Sequence, residues 1–281
     1  MDAAKLRALI GGAVLACSVS AAAAHEFWIA PQRYAVEPGA QIVATLRVGQ
    51  MMRGTEHPYL TTWFHAFTVT TRDGTRDVAG FEGDMPALSY TAAEPGLYVI
   101  AYHSTADRIT FDDWDLFRKY LAYEGLEGIA EAHRARRLPE IGFTEEYTRY
   151  AKALVQVGPV DERDRDAPLG LRFELVAENN PYAPGAETVT VTLLRRGEPA
   201  AGRQIAVFRC AGEVTRTLVT TDARGQAAIP IVDGGVFLLN AVDIRPVETD
   251  EAEKHPIVWA SDWASLTFGP GATEPACPGE Q

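Results

Sequence analysis

The chain predicts a mainly β protein built as two β-sandwich, immunoglobulin-like domains, the first carrying a helical insertion. Three observations predict it. Short apolar–polar alternations separated by Gly and Pro turns fill the first half. A charged stretch bounded by Pro159 and Pro168 then interrupts the chain. Beyond it, about seven short strands fit into roughly a hundred residues, the density of an immunoglobulin-like sandwich.

The first element stands outside the fold. Residues 1–24 have the layout of a secretory signal peptide: Lys5 and Arg7 at the start, an apolar run over 9–16, and Ala22-Ala23-Ala24 before the cut. The expectation is export to a bacterial periplasm, with His25 as the first residue of the mature chain. A competing cut exists. Val14-Leu15-Ala16-Cys17 has the outline of a lipoprotein box, which would make Cys17 a lipid anchor, but Leu15 suits that box poorly.

The first domain is expected over 25–158. Alternation over 41–48 and 64–70, the latter closed by Asp73-Gly74, reads as strands, and Glu94-Pro95-Gly96 leads into a strand over 97–103. The pattern then changes. Asp112 or Asp113 can cap a helix carrying Trp114, Phe117 and Leu121 at helical spacing. Gly125 interrupts it, and 129–137 reads as a second helical stretch ending before Pro139. Thr144 caps an expected turn, and 152–157 alternates like a returning strand. The region 108–149 is therefore predicted to be a largely helical insertion.

Residues 159–168, with Asp161, Glu162, Arg163, Asp164, Arg165 and Asp166, read as a linker. Strands return over 171–177, 188–194, 204–209, 217–221, 227–231, 236–241 and 257–268, giving a second domain over 169–270 and a tail over 271–281. The turn Thr221-Asp222-Ala223-Arg224-Gly225 resembles that of transthyretin-like and carboxypeptidase-regulatory modules, which are usually non-catalytic and adhesive.

Charge narrows the function classes. The formal net charge is −12, and no basic cluster stands out. This argues against nucleic acid or anionic lipid as a partner. No second apolar run approaches the ~18–20 residues of a membrane span. Signal removal leaves Cys210 and Cys277, and two cysteines in an oxidising compartment suggest one disulfide. The sequence carries no H-E-x-x-H helix, phosphate-binding Gly loop or G-x-S-x-G elbow.

The sharpest chemical candidate is His25. An N-terminal histidine offers its α-amine and imidazole to one metal ion, and a second imidazole would complete a nitrogen-rich site suited to Cu(II) or Ni(II). His103 and His65 are the candidate partners, with His57 third. The alternative is that His25 only follows the cleavage site and that Phe27 and Trp28 start a core strand. Asp112, Asp113 and Asp115 have the oxygens for Ca²⁺, though a helix N-terminus accounts for them. The acidic segment 248–255 reads as a solvated loop. Glu146, Tyr147, Arg149, Tyr150 and Lys152 form a polar–aromatic group that either supplies acid–base chemistry or fastens the insertion to the sandwich.

Several stretches together resemble one family. They include His25-Glu26-Phe27-Trp28, Phe81-Glu82-Gly83-Asp84-Met85-Pro86, Phe117-Arg118-Lys119-Tyr120-Leu121-Ala122-Tyr123-Glu124-Gly125, Glu146-Tyr147-Thr148-Arg149-Tyr150, Asn180-Pro181-Tyr182 and Trp263-Ala264-Ser265-Leu266-Thr267-Phe268. They resemble the DUF4198 proteins of bacterial periplasms. That family is often labelled a periplasmic component of nickel or cobalt uptake, so the resemblance implies an exported protein handling nickel or cobalt as its divalent transition metal, to which the His25 reading adds copper. The C-terminal module implies a second role, a non-catalytic adaptor for another envelope protein. A copper oxidase acting through a histidine brace is the third expectation.

Overall fold

The computed structural model describes residues 25–248 and 256–271. In chain order the described strands and helices are β1 Glu26–Pro31, β2 Ala35–Val36, β3 Gln41–Gln50, β4 Arg53–His57, β5 Phe64–Thr71, β6 Gly74–Asp77, β7 Leu88–Thr91, β8 Gly96–Ser104, β9 Asp107–Phe111, α1 Trp114–Glu124, α2 Ile129–Ala135, β10 Phe143–Val157, β11 Phe173–Ala177, β12 Thr188–Arg195, β13 Glu198–Pro199, β14 Gln204–Ala211, β15 Glu213–Thr220, β16 Gln226–Pro230, β17 Val236–Pro246 and β18 Ile257–Phe268. The fold is mainly β and sandwich-like, as the turn-punctuated sequence predicts.

The two halves share one sheet. Its order is β15-β14-β17-β18-β10-β8-β5-β6, with β2 and β9 also on β10. The join is a parallel pairing of β10 with β18, running from Thr144↔Ile257 to Ala153↔Thr267. On its other side β10 pairs antiparallel with β8. Each half therefore contributes strands to a continuous layer.

Two small sheets cover opposite faces of that layer. The period-2 alternation of β-strands sorts the contacts. Val99 and Leu154 belong to the core shared with Phe173, Leu175 and Val191 of the β11-β12 sheet. Their neighbours Ile100 and Val155 belong to the core shared with Ile29, Ile42 and Leu46 of the β1-β3 sheet. This is why β10 ends in a run of eight buried residues. Both faces are covered, so its apolar pattern is near-continuous.

The helical insertion is shorter than the sequence suggests. Helices occupy only Trp114–Glu124 and Ile129–Ala135. Residues 143–149 lie in β10 and pair with β9 and β18, so Thr144 caps no turn. The alternating Thr, Tyr and Arg side chains of that stretch suit a strand, and tertiary pairing decides it. At the helix start the expected cap is present: the Asp113 carboxylate accepts from the backbone N–H of Asp115 and Leu116, worth about 1 kcal/mol. Gly125 ends α1 in the left-handed conformation, φ 68°, and an added Cβ would lie 2.7 Å from Gln204.

The helices cap the sheet through Phe117, Tyr120 and Leu121, which meet Phe143, Trp259 and Trp263. His133 pins α2 in place. Its Nδ1 accepts from the Trp259 indole at 3.0 Å, and Nε2–H donates to the Pro139 carbonyl at 2.9 Å.

The charged 159–168 stretch is no free tether. Asp164 and Asp166 are buried. Asp164 pairs with Arg72 at 2.7 Å, and Asp166 and Glu174 both pair with buried Lys152 at 2.7 and 3.1 Å. Lys152 thus binds the linker and β11 to β10. Cys210 is disulfide-bonded; Cys277 lies outside the described residues, as do the expected signal peptide and most of the 248–255 loop.

Candidate functional site

The structure brings two of the three candidate metal ligands together. β5 and β8 pair with an irregularity between Phe64 and Ala66. That bulge sets His65 beside His103, ring centroids 5.0 Å apart. His103 is half-buried and packs against Tyr150, ring centroids 4.8 Å apart and tilted by 31°. Burial, then His65 and Arg172, push its pKa below the usual histidine value, which keeps it neutral.

His25 stands elsewhere. It precedes β1, whose Phe27 packs on Tyr102 at 5.0 Å. Tyr102 and His103 are consecutive in β8 and point to opposite faces. The imidazole pair therefore lies across the sheet from the strand that His25 begins. Among the described residues no group of three or more His, Cys, Asp or Glu is arranged to hold a metal ion. Asp113 is the helix cap, and Asp115 bonds Arg118, so the aspartates expected as a Ca²⁺ alternative are committed to the helix.

His57, the third candidate, closes β4 and faces Trp63, with ring centroids 5.4 Å apart. It lines a cavity of about 320 Å³ that also takes in Phe27, Tyr102, Ser104 and Arg149. Strand alternation places Tyr147 and Arg149 side by side on β10. The Arg149 guanidinium lies 4.6 Å from the Tyr147 ring centre and 5.7 Å from that of Phe27. The Tyr147 hydroxyl donates to Asp107 at 2.8 Å. The backbone N–H of Arg149 donates to the Ser104 hydroxyl oxygen at 2.9 Å. Burial lowers the Arg149 pKa, and its Nε is buried without a hydrogen-bond partner. No ion pair to Arg149 exists among the described residues. Burial and the Arg149 charge both lower the His57 pKa.

A second polar cluster lies beneath α1. Glu26, Glu124 and Glu145 are all buried. Tyr123 donates to Glu26 at 3.3 Å, Asn240 to Glu124 at 3.3 Å, and Tyr120 to Glu145 at 3.0 Å. Ser261 also bonds Glu145. One oxygen of each carboxyl is left without a partner. Burial, the largest cause in each case, pushes Glu26 and Glu145 up to about 7 and Glu124 up to about 8. Glu26, Tyr123-Glu124 and Trp263 come from three of the stretches quoted above for their resemblance, and these stretches converge here in space.

Sequence reasoning placed Arg149 in a group that either supplies acid–base chemistry or fastens the insertion, and His57 only third among the partner histidines. A signal was present: Tyr147 and Arg149 are two apart, which on a strand sets both on one face. The other walls of the cavity are remote in sequence and left no such trace.

Residues 22–244 match the family described as "Domain of unknown function (DUF4198)". No curated protein matches the chain. Among solved structures, a Salmonella alpha-2-macroglobulin mutant, Y1175G, is similar at 14% identity and TM-score 0.24, over 86% of this chain and 15% of that one. The D0-D1 domain of Intimin is similar at 12% identity and TM-score 0.22, over 85% of this chain and 96% of that one. Both likenesses are too weak to carry a functional inference.

Proposed function

This chain belongs to the DUF4198 family, and we propose that it is an exported binding protein of the cell envelope that takes a small ligand into the Arg149 cavity. The observation that carries this is the cavity itself: about 320 Å³, walled by Phe27, Tyr102 and Trp63, with Arg149, His57, Ser104 and Asp107 among its polar groups. Concave, largely aromatic pockets with a few convergent polar groups are the usual form of small-molecule sites. The walls are fixed beforehand. The Tyr102 hydroxyl and the Thr105 N–H both donate to the Trp63 carbonyl, at 3.1 and 2.9 Å. Export rests on the signal-like pattern of residues 1–24. Intact mass of protein recovered from a periplasmic fraction tests it, with His25 as the expected first residue.

Ligand-observed NMR with a mixed set of small molecules tests the cavity. The control is Ala106→Trp, which fills it from a lining position. Binders should be found with the wild type and lost with the variant. Binders indifferent to the filling would sink the assignment.

A second reading is the handling of a divalent transition metal, nickel, cobalt or copper. The closeness of His65 and His103 supports it, because two adjacent imidazoles can ligate one such ion and burial disfavours the protonated form of His103 that cannot. Titration with Cu(II) and Ni(II) should give a one-to-one site that is lost in His103→Ala. A site lost on adding one alanine before His25, and kept in His103→Ala, would move it to the chain start.

A further inference from the structure

Resting on the cavity assignment above, we infer that its ligand is a monoanionic carboxylate carried on a flat, apolar body. The requirement comes from Arg149. A guanidinium always keeps its charge and presents five N–H donors in a rigid fork. Here that fork makes no salt bridge among the described residues and its Nε is buried without a hydrogen-bond partner there, while Asp107 attracts its charge without pairing with it. A buried donor left unpaired is costly, and a carboxylate entering the cavity would remove that cost.

The geometry around the fork is already set. The Tyr147 and Phe27 rings hold the guanidinium from 4.6 and 5.7 Å. The Ser104 hydroxyl accepts from the backbone N–H of Arg149, not from the fork, and keeps its own hydrogen to donate. A carboxylate has two oxygens to receive these donors. The remaining walls, Phe27, Tyr102 and Trp63, are aromatic, and Trp63 is 43% exposed at the rim. Aromatic walls suit a flat apolar body.

The charge of the ligand is bounded on the other side. Asp107 also lines the cavity, held by the Tyr147 hydroxyl. It opposes a second negative charge. No lysine lines the cavity to offset that, and the chain as a whole carries −12. One carboxylate is therefore favoured over a phosphate dianion.

Calorimetric titration of the full chain with benzoate, its neutral isostere benzamide, and phenyl phosphate tests this, on wild type and on Ala106→Trp. Benzoate should bind at least tenfold tighter than benzamide, about 1.4 kcal/mol, and tighter than phenyl phosphate. Both benzoate and benzamide should be lost in Ala106→Trp. Equal binding of benzoate and benzamide, with both lost in the filled variant, overturns the carboxylate and leaves the cavity assignment standing. Phenyl phosphate binding tighter than benzoate overturns it likewise. Binding of neither benzoate nor benzamide at millimolar concentration, or binding indifferent to the filling, overturns the cavity assignment and this inference with it.

Discussion

Lys152 is fully buried and holds two buried carboxylates, Asp166 and Glu174. Removing the cation would leave both acids in the interior without it. Breaking a buried ion pair from one side costs about 3–5 kcal/mol. Lys152→Met should therefore lower the urea midpoint by that order, and an unchanged midpoint would show that the pairs are dispensable. Asp166 is pushed up by burial, and Lys152 opposes that shift, so the variant should lose more stability above the Asp166 titration than at acid pH, where that carboxyl is neutral. His133 is the other residue whose role only packing explains. It accepts from one indole and donates to one carbonyl, with both nitrogens used. His133→Phe keeps the volume but abandons both partners, leaving the Trp259 N–H unpaired in the core. That should cost about 1–3 kcal/mol, read as a drop in thermal midpoint.

At the scale of elements, the carboxyls beneath α1 make the helix cap sensitive to pH. Glu124 is raised to about 8 in the folded chain, against 4.5 as its ordinary value. Between those values the folded state holds a proton that the unfolded state has released. Stability therefore falls as pH rises from about 4.5 to about 8, and levels off above. Glu26 and Glu145, raised to about 7, add to the same fall. Glu124→Gln removes the largest of these shifts and can keep the Asn240 bond. It should leave the thermal midpoint near wild type at pH 5 and raise it at pH 8.5. Parallel curves for the two proteins would show that Glu124 is not the proton holder. The turn after α1 is local by contrast. Gly125→Ala must adopt φ 68° and meet Gln204, so it should destabilise by about 1 kcal/mol or more.

For the whole molecule, the β10–β18 pairing ties the halves. β10 comes from the first half and β18 is the last described strand. Cutting the chain in the 159–168 stretch would expose the edges of both strands along ten paired positions, and would divide Lys152 from Glu174. Heating the intact chain should give one calorimetric transition with matching calorimetric and van't Hoff enthalpies. Two separated transitions would show that each half folds alone despite the shared sheet.

Much of the local structure is legible in the residues. The 257–268 strand, the Asp113 cap, the Gly125 stop and the Asp73-Gly74 turn all follow from short-range rules. Alternation, capping and left-handed glycine act within a few residues, so a window of sequence contains the cause. The site is legible in part. His65 and His103 were candidates on residue type, and they do meet. Their meeting depends on a bulge and a strand pairing that no window contains. The segment 143–149 reads as helix or turn on its own, and its partners in β9 and β18 make it a strand. Residues 27, 57, 63, 104 and 149 reach one cavity only after four strands and a turn are packed. The sequence alone determined the mainly β class and those strands, turns and helix ends whose cause lies within a few residues. Tertiary structure decided which strands share a sheet and which charges are buried together, because those depend on contacts between residues far apart in the chain.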